Sequence, residues 1–164
     1  MYEEPEKIRK RRITVFSILG VILAVLMITG VFHLTHYQRT SSKEQMSLMG
    51  STEPTVVMFY STKCPDCKKV TLTIKKAITS QKFKSFTNSG SSNQPVSHTN
   101  TFVEWQNKQD KALFKKYQVQ SVPTFMVFKQ GIPQQFIVNG QPTTVYSGTD
   151  PNVIKQIYTN LQVK

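Results

Sequence analysis

The pattern of apolar and polar positions divides the chain sharply. Ile13–Leu34 (ITVFSILGVILAVLMITGVFHL) runs for 22 residues without Asp, Glu, Lys or Arg. A helix rising about 1.5 Å per residue over that length crosses the roughly 30 Å hydrocarbon core of a bilayer. The run is longer than the apolar region of about 7–15 residues in a cleaved signal peptide, and it ends in VFHLTHY without a small-x-small site. No cysteine directly follows it to take a lipid. It therefore predicts one uncleaved transmembrane helix over 13–34. Lys7, Arg9, Lys10, Arg11 and Arg12 precede it. Basic flanks resist translocation, so residues 1–12 are expected as a short cytoplasmic tail and the remainder as extracytoplasmic.

Beyond the span the grain changes. Residues 35–53 are polar, with Ser, Thr and Gly and with Pro54 directly after them, and read as a stalk holding one helical turn around Glu44–Met49. A folded domain is expected over 54–164. Thr55–Tyr60 (TVVMFY) is a continuous apolar and β-branched run, the pattern of a strand buried on both faces. Val70, Ile74, Ala77 and Ile78 then fall at helical spacing. Pro65 suits the first turn of that helix, where its missing N–H has no partner to lose. Lys82–Asn100 is rich in Ser, Asn and Thr and reads as a long surface loop containing His98. Thr101–Trp105 predicts a second strand. Asp110 is placed to cap a short helix with Leu113, Phe114 and Tyr117 inward. Thr124–Lys129 predicts a third strand closed by a turn at Gln130-Gly131, with Thr143–Tyr146 pairing beside it. A last helix is capped at Thr149 or Asp150 and carries Val153, Ile154, Ile157, Tyr158 and Leu161 on its apolar face.

Charge changes the picture little. The chain is formally +12. From Thr35 onward there are 16 Lys/Arg against 6 Asp/Glu, so about +10 belongs to the part beyond the span. No dense Lys/Arg block and no RNA-binding aromatic signature accompanies this charge, so a basic, solubilising surface is expected rather than a nucleic-acid partner.

The candidate chemistry lies in FYSTKCPDCKKV (59–70), which holds both cysteines of the chain, Cys64 and Cys67. A zinc site needs four ligands. The histidines on offer are His33 and His36 beside the span and His98 in the polar loop, so no metal site is expected. A disulfide closing two residues would constrain the unfolded chain very little. A redox dithiol accounts for the setting better. Cys64 would sit at a helix N-terminus, where unpaired N–H groups and the helix dipole favour a thiolate, the nucleophilic form. Cys67, one turn in, is placed to attack a mixed disulfide on Cys64. Lys63, Lys68 and Lys69 add positive charge nearby, and Asp66 opposes them.

With these two features, the strand-CPDC-helix unit and QVQSVPTFMVFKQG (118–131), the chain resembles the thioredoxin superfamily over roughly Pro54–Gln162. The resemblance implies an α/β thioredoxin-like fold, a mixed central sheet flanked by helices, here preceded by the transmembrane helix. It implies a cis Val122–Pro123 bond beside the two sulfurs, with Val122, Pro123 and Thr124 forming the substrate edge that pairs with a bound peptide as an added strand. Three departures mark the site. Lys63 stands where a typical thioredoxin has tryptophan. Pro65-Asp66 stands for Gly-Pro between the cysteines. Met58 occupies the position of a buried aspartate that accepts a proton from the second cysteine. Lys63, Pro65 and Asp66 are thus the candidate tuning residues.

The resulting expectation is a single-pass, membrane-anchored protein thiol–disulfide oxidoreductase working outside the cytoplasm on disulfides of secreted or surface proteins. It would need no bound cofactor, because the Cys64–Cys67 disulfide carries the two electrons. Its partners would be protein thiols or disulfides, a membrane or extracellular redox partner, and lipid around residues 13–34. The chain also resembles, more loosely, small anchored thioredoxin-like proteins of Gram-positive bacteria, some of which accompany bacteriocin export or conjugative transfer. That resemblance implies an alternative, an accessory binding subunit of an envelope export or transfer machine.

Overall fold

The computed structural model describes residues 17–30, 40–87 and 98–163. It divides into two compact units, Met1–His36 and Tyr37–Lys164. In the first, residues 17–30 form helix α1, and its large apolar side chains, Ile18 to Ile28, are exposed. Among the described residues no helix is long and apolar enough to cross a membrane. The ends of the expected span, 13–16 and 31–34, and the basic cluster before it lie outside the described residues.

In the second unit, β1 (Thr55–Tyr60) is buried along its whole length, as a continuous apolar run requires. It pairs in parallel with β2 (Thr99–Glu104) on one side and antiparallel with β3 (Thr124–Lys129) on the other. Beyond β3 lie β4 (Ile132–Gln134) and β7 (Tyr146–Ser147), both antiparallel to it. The mixed sheet anticipated from the sequence is therefore present, with the order β2-β1-β3-β4. A second small sheet, β5 (Phe136–Val138) with β6 (Gln141–Thr143), ends at Thr143, the first residue of the single strand that the sequence placed at Thr143–Tyr146. That expectation divides: Thr143 pairs with Phe136, while Tyr146 pairs with Phe125 of β3. Both hairpins turn on a non-glycine followed by Gly, all at positive φ: Gln130-Gly131 (54° and 77°) and Asn139-Gly140 (50° and 78°). Two consecutive positive φ values match the twist of the strands they join, and glycine takes the second position without a Cβ clash.

Alternation along the strands sorts the core into two clusters. Val56, Met58 and Tyr60 of β1 join Phe125 and Val127 of β3 on one face. There they meet α3 (Pro65–Thr87), through Cys67, Val70, Ile74 and Ala77, and α5 (Pro151–Thr159), through Val153, Ile154, Ile157 and Tyr158. Val57, Phe59, Met126 and Phe128 point the other way, onto Leu113 and Phe114 of α4 (Lys111–Lys116) and onto Met49. The N-cap of α5 is Asp150, whose carboxylate accepts the Asn152 N–H at 2.8 Å.

Four sequence expectations are corrected. The polar segment 35–53 does not end as a bare stalk. Its described part, from Thr40, includes helix α2 (Ser42–Met49), which buries Gln45 and Met49, so the compact unit begins well ahead of residue 54. The Gln45 side-chain amide donates to the carbonyls of Thr40 (3.2 Å) and Phe102 (2.9 Å), tying α2 to β2. The expected loop 82–100 is shorter, because α3 continues to Thr87 and β2 begins at Thr99. His98 is buried rather than in a surface loop, with Nδ1 3.1 Å from the Gln81 amide. Asp110 holds the N-cap position of α4 but makes no side-chain cap bond. Its fully buried carboxylate instead accepts the Ser42 hydroxyl at 2.7 Å and the Glu104 N–H at 2.9 Å, joining α2, β2 and α4.

Candidate redox site

The site is assembled where β1 runs into α3. After the buried strand, the Ser61 carbonyl accepts the Cys64 N–H at 3.1 Å, turning the chain so that Pro65 opens the helix. The Cys64 carbonyl accepts the Lys68 N–H at 3.3 Å, which makes Cys64 the residue that caps the first turn. Cys64 and Cys67 are both reduced thiols. Cys64 is half-buried, and Cys67 is 1% exposed and packed in the core with Met58 and Val70.

The two sulfurs are therefore chemically unequal. Burial pushes the Cys67 thiol up from about 9 to about 12. The Ser61 backbone lowers it by a hydrogen bond, while the Cys64 sulfur and the Asp66 charge raise it. At neutral pH Cys67 keeps its proton, and the accessible cysteine for attack is Cys64. Its S–H donates to the Val122 carbonyl at 3.5 Å. Val122–Pro123 is a cis peptide bond, as the resemblance implied.

The other predicted residues separate. Val122 is half-buried and Pro123 buried beside the site. Thr124 does not face a partner. It is buried, its hydroxyl donates to the Ser121 carbonyl at 2.7 Å, and it lies 2.6 Å from the Ser147 hydroxyl. Its main chain stands between Phe59 of β1 and Ser147 of β7, so it has no edge left for a peptide. Lys63 and Pro65 are exposed. Asp66 is exposed and takes the Lys69 ammonium at 2.8 Å, an i,i+3 pair that raises the lysine's pKa. Among the described residues, no three His, Cys, Asp or Glu side chains come together as metal ligands.

One residue that the sequence reading passed over is central. The Ser61 hydroxyl accepts the Gln106 amide at 2.6 Å and the Lys63 N–H at 3.2 Å. With its carbonyl on Cys64 and its backbone on Cys67, Ser61 contacts both cysteines and anchors the turn between them. Gln106 also accepts the Thr62 N–H at 3.2 Å, and Thr62 donates its hydroxyl to Glu104 at 3.0 Å. The end of β2 thereby holds the CPDC turn in place. The available signal was a polar residue closing an apolar strand three positions before the first cysteine. Its partner lies 45 residues away and leaves no local pattern.

The Thioredoxin family model matches residues 36–148. The chain belongs to the thioredoxin family. A thioredoxin-like protein of Fusarium culmorum is 32% identical over 115 residues, which cover 70% of this chain and 81% of that protein. Among solved structures, one similar chain comes from work on the thiol resolving mechanism of yeast mitochondrial 1-Cys peroxiredoxin via glutathione/thioredoxin systems. It is 17% identical, covers 76% of this chain and 95% of its own, and has a TM-score of 0.51, a likeness of fold. The oxidised thioredoxin of Plasmodium falciparum is 19% identical, with a TM-score of 0.48 over 72% of this chain and 89% of its own. Against the family pattern, Met58 is fully buried and sits opposite Phe102 of β2, so the place of the buried acid is filled by an apolar pair.

Proposed function

We propose that this family member is a thiol–disulfide oxidoreductase, anchored in a membrane by residues 13–34 and acting outside the cytoplasm on protein disulfides. The observation that carries the chemistry is the placement of the half-buried Cys64 sulfur 3.5 Å from the Val122 carbonyl, with Cys67 one turn behind it in the core. In the reducing direction, the Cys64 thiolate attacks one sulfur of a substrate disulfide. The substrate S–S bond breaks, one half leaves as a thiolate, and a Cys64–substrate mixed disulfide forms. Cys67 then gives up its proton and attacks the Cys64 sulfur. The second substrate thiolate leaves, and the Cys64–Cys67 disulfide holds the oxidising equivalents. Two electrons have passed from the protein to the substrate, and the reverse sequence oxidises a substrate dithiol. No cofactor enters the cycle. About 30 mV in potential corresponds to roughly 1.4 kcal/mol for such a couple, so small changes around Lys63, Pro65 and Asp66 set the favoured direction.

The anchor and the compartment rest on the apolar run and its basic flank. An extracytoplasmic setting also leaves the domain in need of a membrane or extracellular redox partner to renew the pair. The test is Cys67→Ser in the full-length protein. Cys64 is expected to accumulate mixed disulfides that survive acid quenching, run as reducible adducts and are identified by mass. A Cys67→Ser protein that traps nothing during turnover, while Cys64 stays alkylatable, sinks the redox reading.

A further inference from the structure

The exposed side of α3 carries a feature that the exchange chemistry does not use. Lys68, Lys69 and Lys76 are exposed and Lys75 is half-buried, and Leu72 lies among them with 55% of its surface open. Positions 65, 69, 72 and 76 share one side of a helix at 3.6 residues per turn. The stripe therefore runs from Pro65, next to the reactive sulfur, through Lys69 and Leu72 to Lys76. The only acid of α3 is Asp66, which is already paired with Lys69. A single exposed leucine is ordinary. An exposed leucine among four lysines, on the helix that presents the nucleophile, makes an apolar centre with a positive rim, the layout of a protein contact.

We infer that this face of α3 docks the acidic flank of the protein whose disulfide or dithiol reacts at Cys64. The inference rests on the oxidoreductase reading and adds a substrate class to it. Leu72 is eight residues along the helix from Cys64, about 12 Å, and Lys76 is about 18 Å away. An extended partner segment covers about 3.3 Å per residue. Its acids would thus lie about two to six residues from its reactive cysteine, around one apolar side chain. The charge acts chiefly on encounter, and its reach is limited to about 8–10 Å at moderate salt.

The test uses the full-length protein in a neutral detergent and two disulfide-linked peptides. One carries Glu, Leu and Glu within six residues of its cysteine, and the other carries Lys in place of Glu. At low ionic strength the acidic peptide is expected to exchange about tenfold faster, with the advantage shrinking as salt is added. Leu72→Gln combined with Lys76→Glu is expected to cut that advantage to about threefold or less, while exchange with the small neutral hydroxyethyl disulfide, compared at about 0.15 M salt, is unchanged, because both positions then lie beyond the screening length of about 8 Å from Cys64. Equal rates for the two peptides, or an undiminished advantage in the double variant, overturn the inference. A rate that follows anionic phospholipid added to the micelles and ignores peptide charge assigns the face to a lipid surface and also overturns it. If hydroxyethyl disulfide itself does not react, the oxidoreductase reading fails instead. The docking face is then judged alone by fluorescence anisotropy of the acidic peptide with Ser in place of its cysteine: salt-sensitive binding lost in the double variant supports it, and no binding refutes it.

Discussion

Cys67 shows how far one residue's environment decides its chemistry. Helical spacing placed it one turn behind Cys64, but only packing against Met58 and Val70 removes it from water and pushes its thiol up to about 12. In the reduced protein, alkylation below pH 10 is expected to label Cys64 and spare Cys67, checked by mass after proteolysis. The stability consequence follows from the sign of the shift. The folded pKa lies above the unfolded one, so the folded state holds this proton more tightly. Its stabilising contribution is complete below about pH 9 and is lost as pH rises towards 12. Urea unfolding of reduced wild type is therefore expected to weaken from pH 8 to pH 10.5 more than that of Cys67→Ala. Asp110 is the second such residue. Replacing it with Ala leaves the buried Glu104 N–H and the Ser42 hydroxyl without their acceptor, and a loss of about 2–4 kcal/mol is expected by denaturant titration.

Among the elements, those with strong periodicity formed where the sequence placed them. β1, β3 and α5 each announce themselves through a run or a face of large apolar residues; α5 buries Val153, Ile154, Ile157 and Tyr158, while Leu161, also buried, lies past its end at Thr159. The small elements were not legible in this way. The β5–β6 hairpin contains Pro142 and the pair Asn139-Gly140, and its strands are only three residues long, too short for alternation to declare itself. α2 is polar on most of its surface, so its burial of Gln45 and Met49 depends on the β2 edge and on the β3–β4 turn. The N–H groups of Gln130 and Gly131 donate to the carbonyls of Ser51 and Met49 at 2.8 Å each. A chain starting at Pro54 is expected to be about 3–5 kcal/mol less stable than one starting at Tyr37, since it loses a buried methionine and several internal hydrogen bonds. Equal urea midpoints for the two would show that α2 is dispensable.

At the scale of the whole molecule, compartment decides which clients an exchange pair meets. An exchange pair outside the cytoplasm meets disulfide-rich clients, whereas one inside meets a reducing pool. If residues 13–34 anchor the chain as proposed, the protein is expected to remain in the membrane fraction after alkaline carbonate washing. A membrane-impermeant maleimide is then expected to label Cys64 in intact cells after mild reduction. Labelling only after the cells are broken would place the domain on the cytoplasmic side and remove the secreted-protein substrate class.

The order of the amino acids alone determined the features that depend on neighbours: the apolar run and its basic flank, the buried strand leading into CPDC, and the amphipathic faces of α3 and α5. Each arises from interactions within a few residues, so its signal is local. Tertiary structure decided the rest. It gave Ser61 contacts with both cysteines and a bond from Gln106, buried Cys67 in the core, moved Asp110 from helix cap to inter-element tie, and turned Thr124 inward while leaving Val122 beside the sulfur. These outcomes depend on which groups meet across 23 to 68 residues of chain, or on how deeply a thiol is desolvated. Such properties belong to the packed sheet and helices, and periodicity along the chain does not encode them.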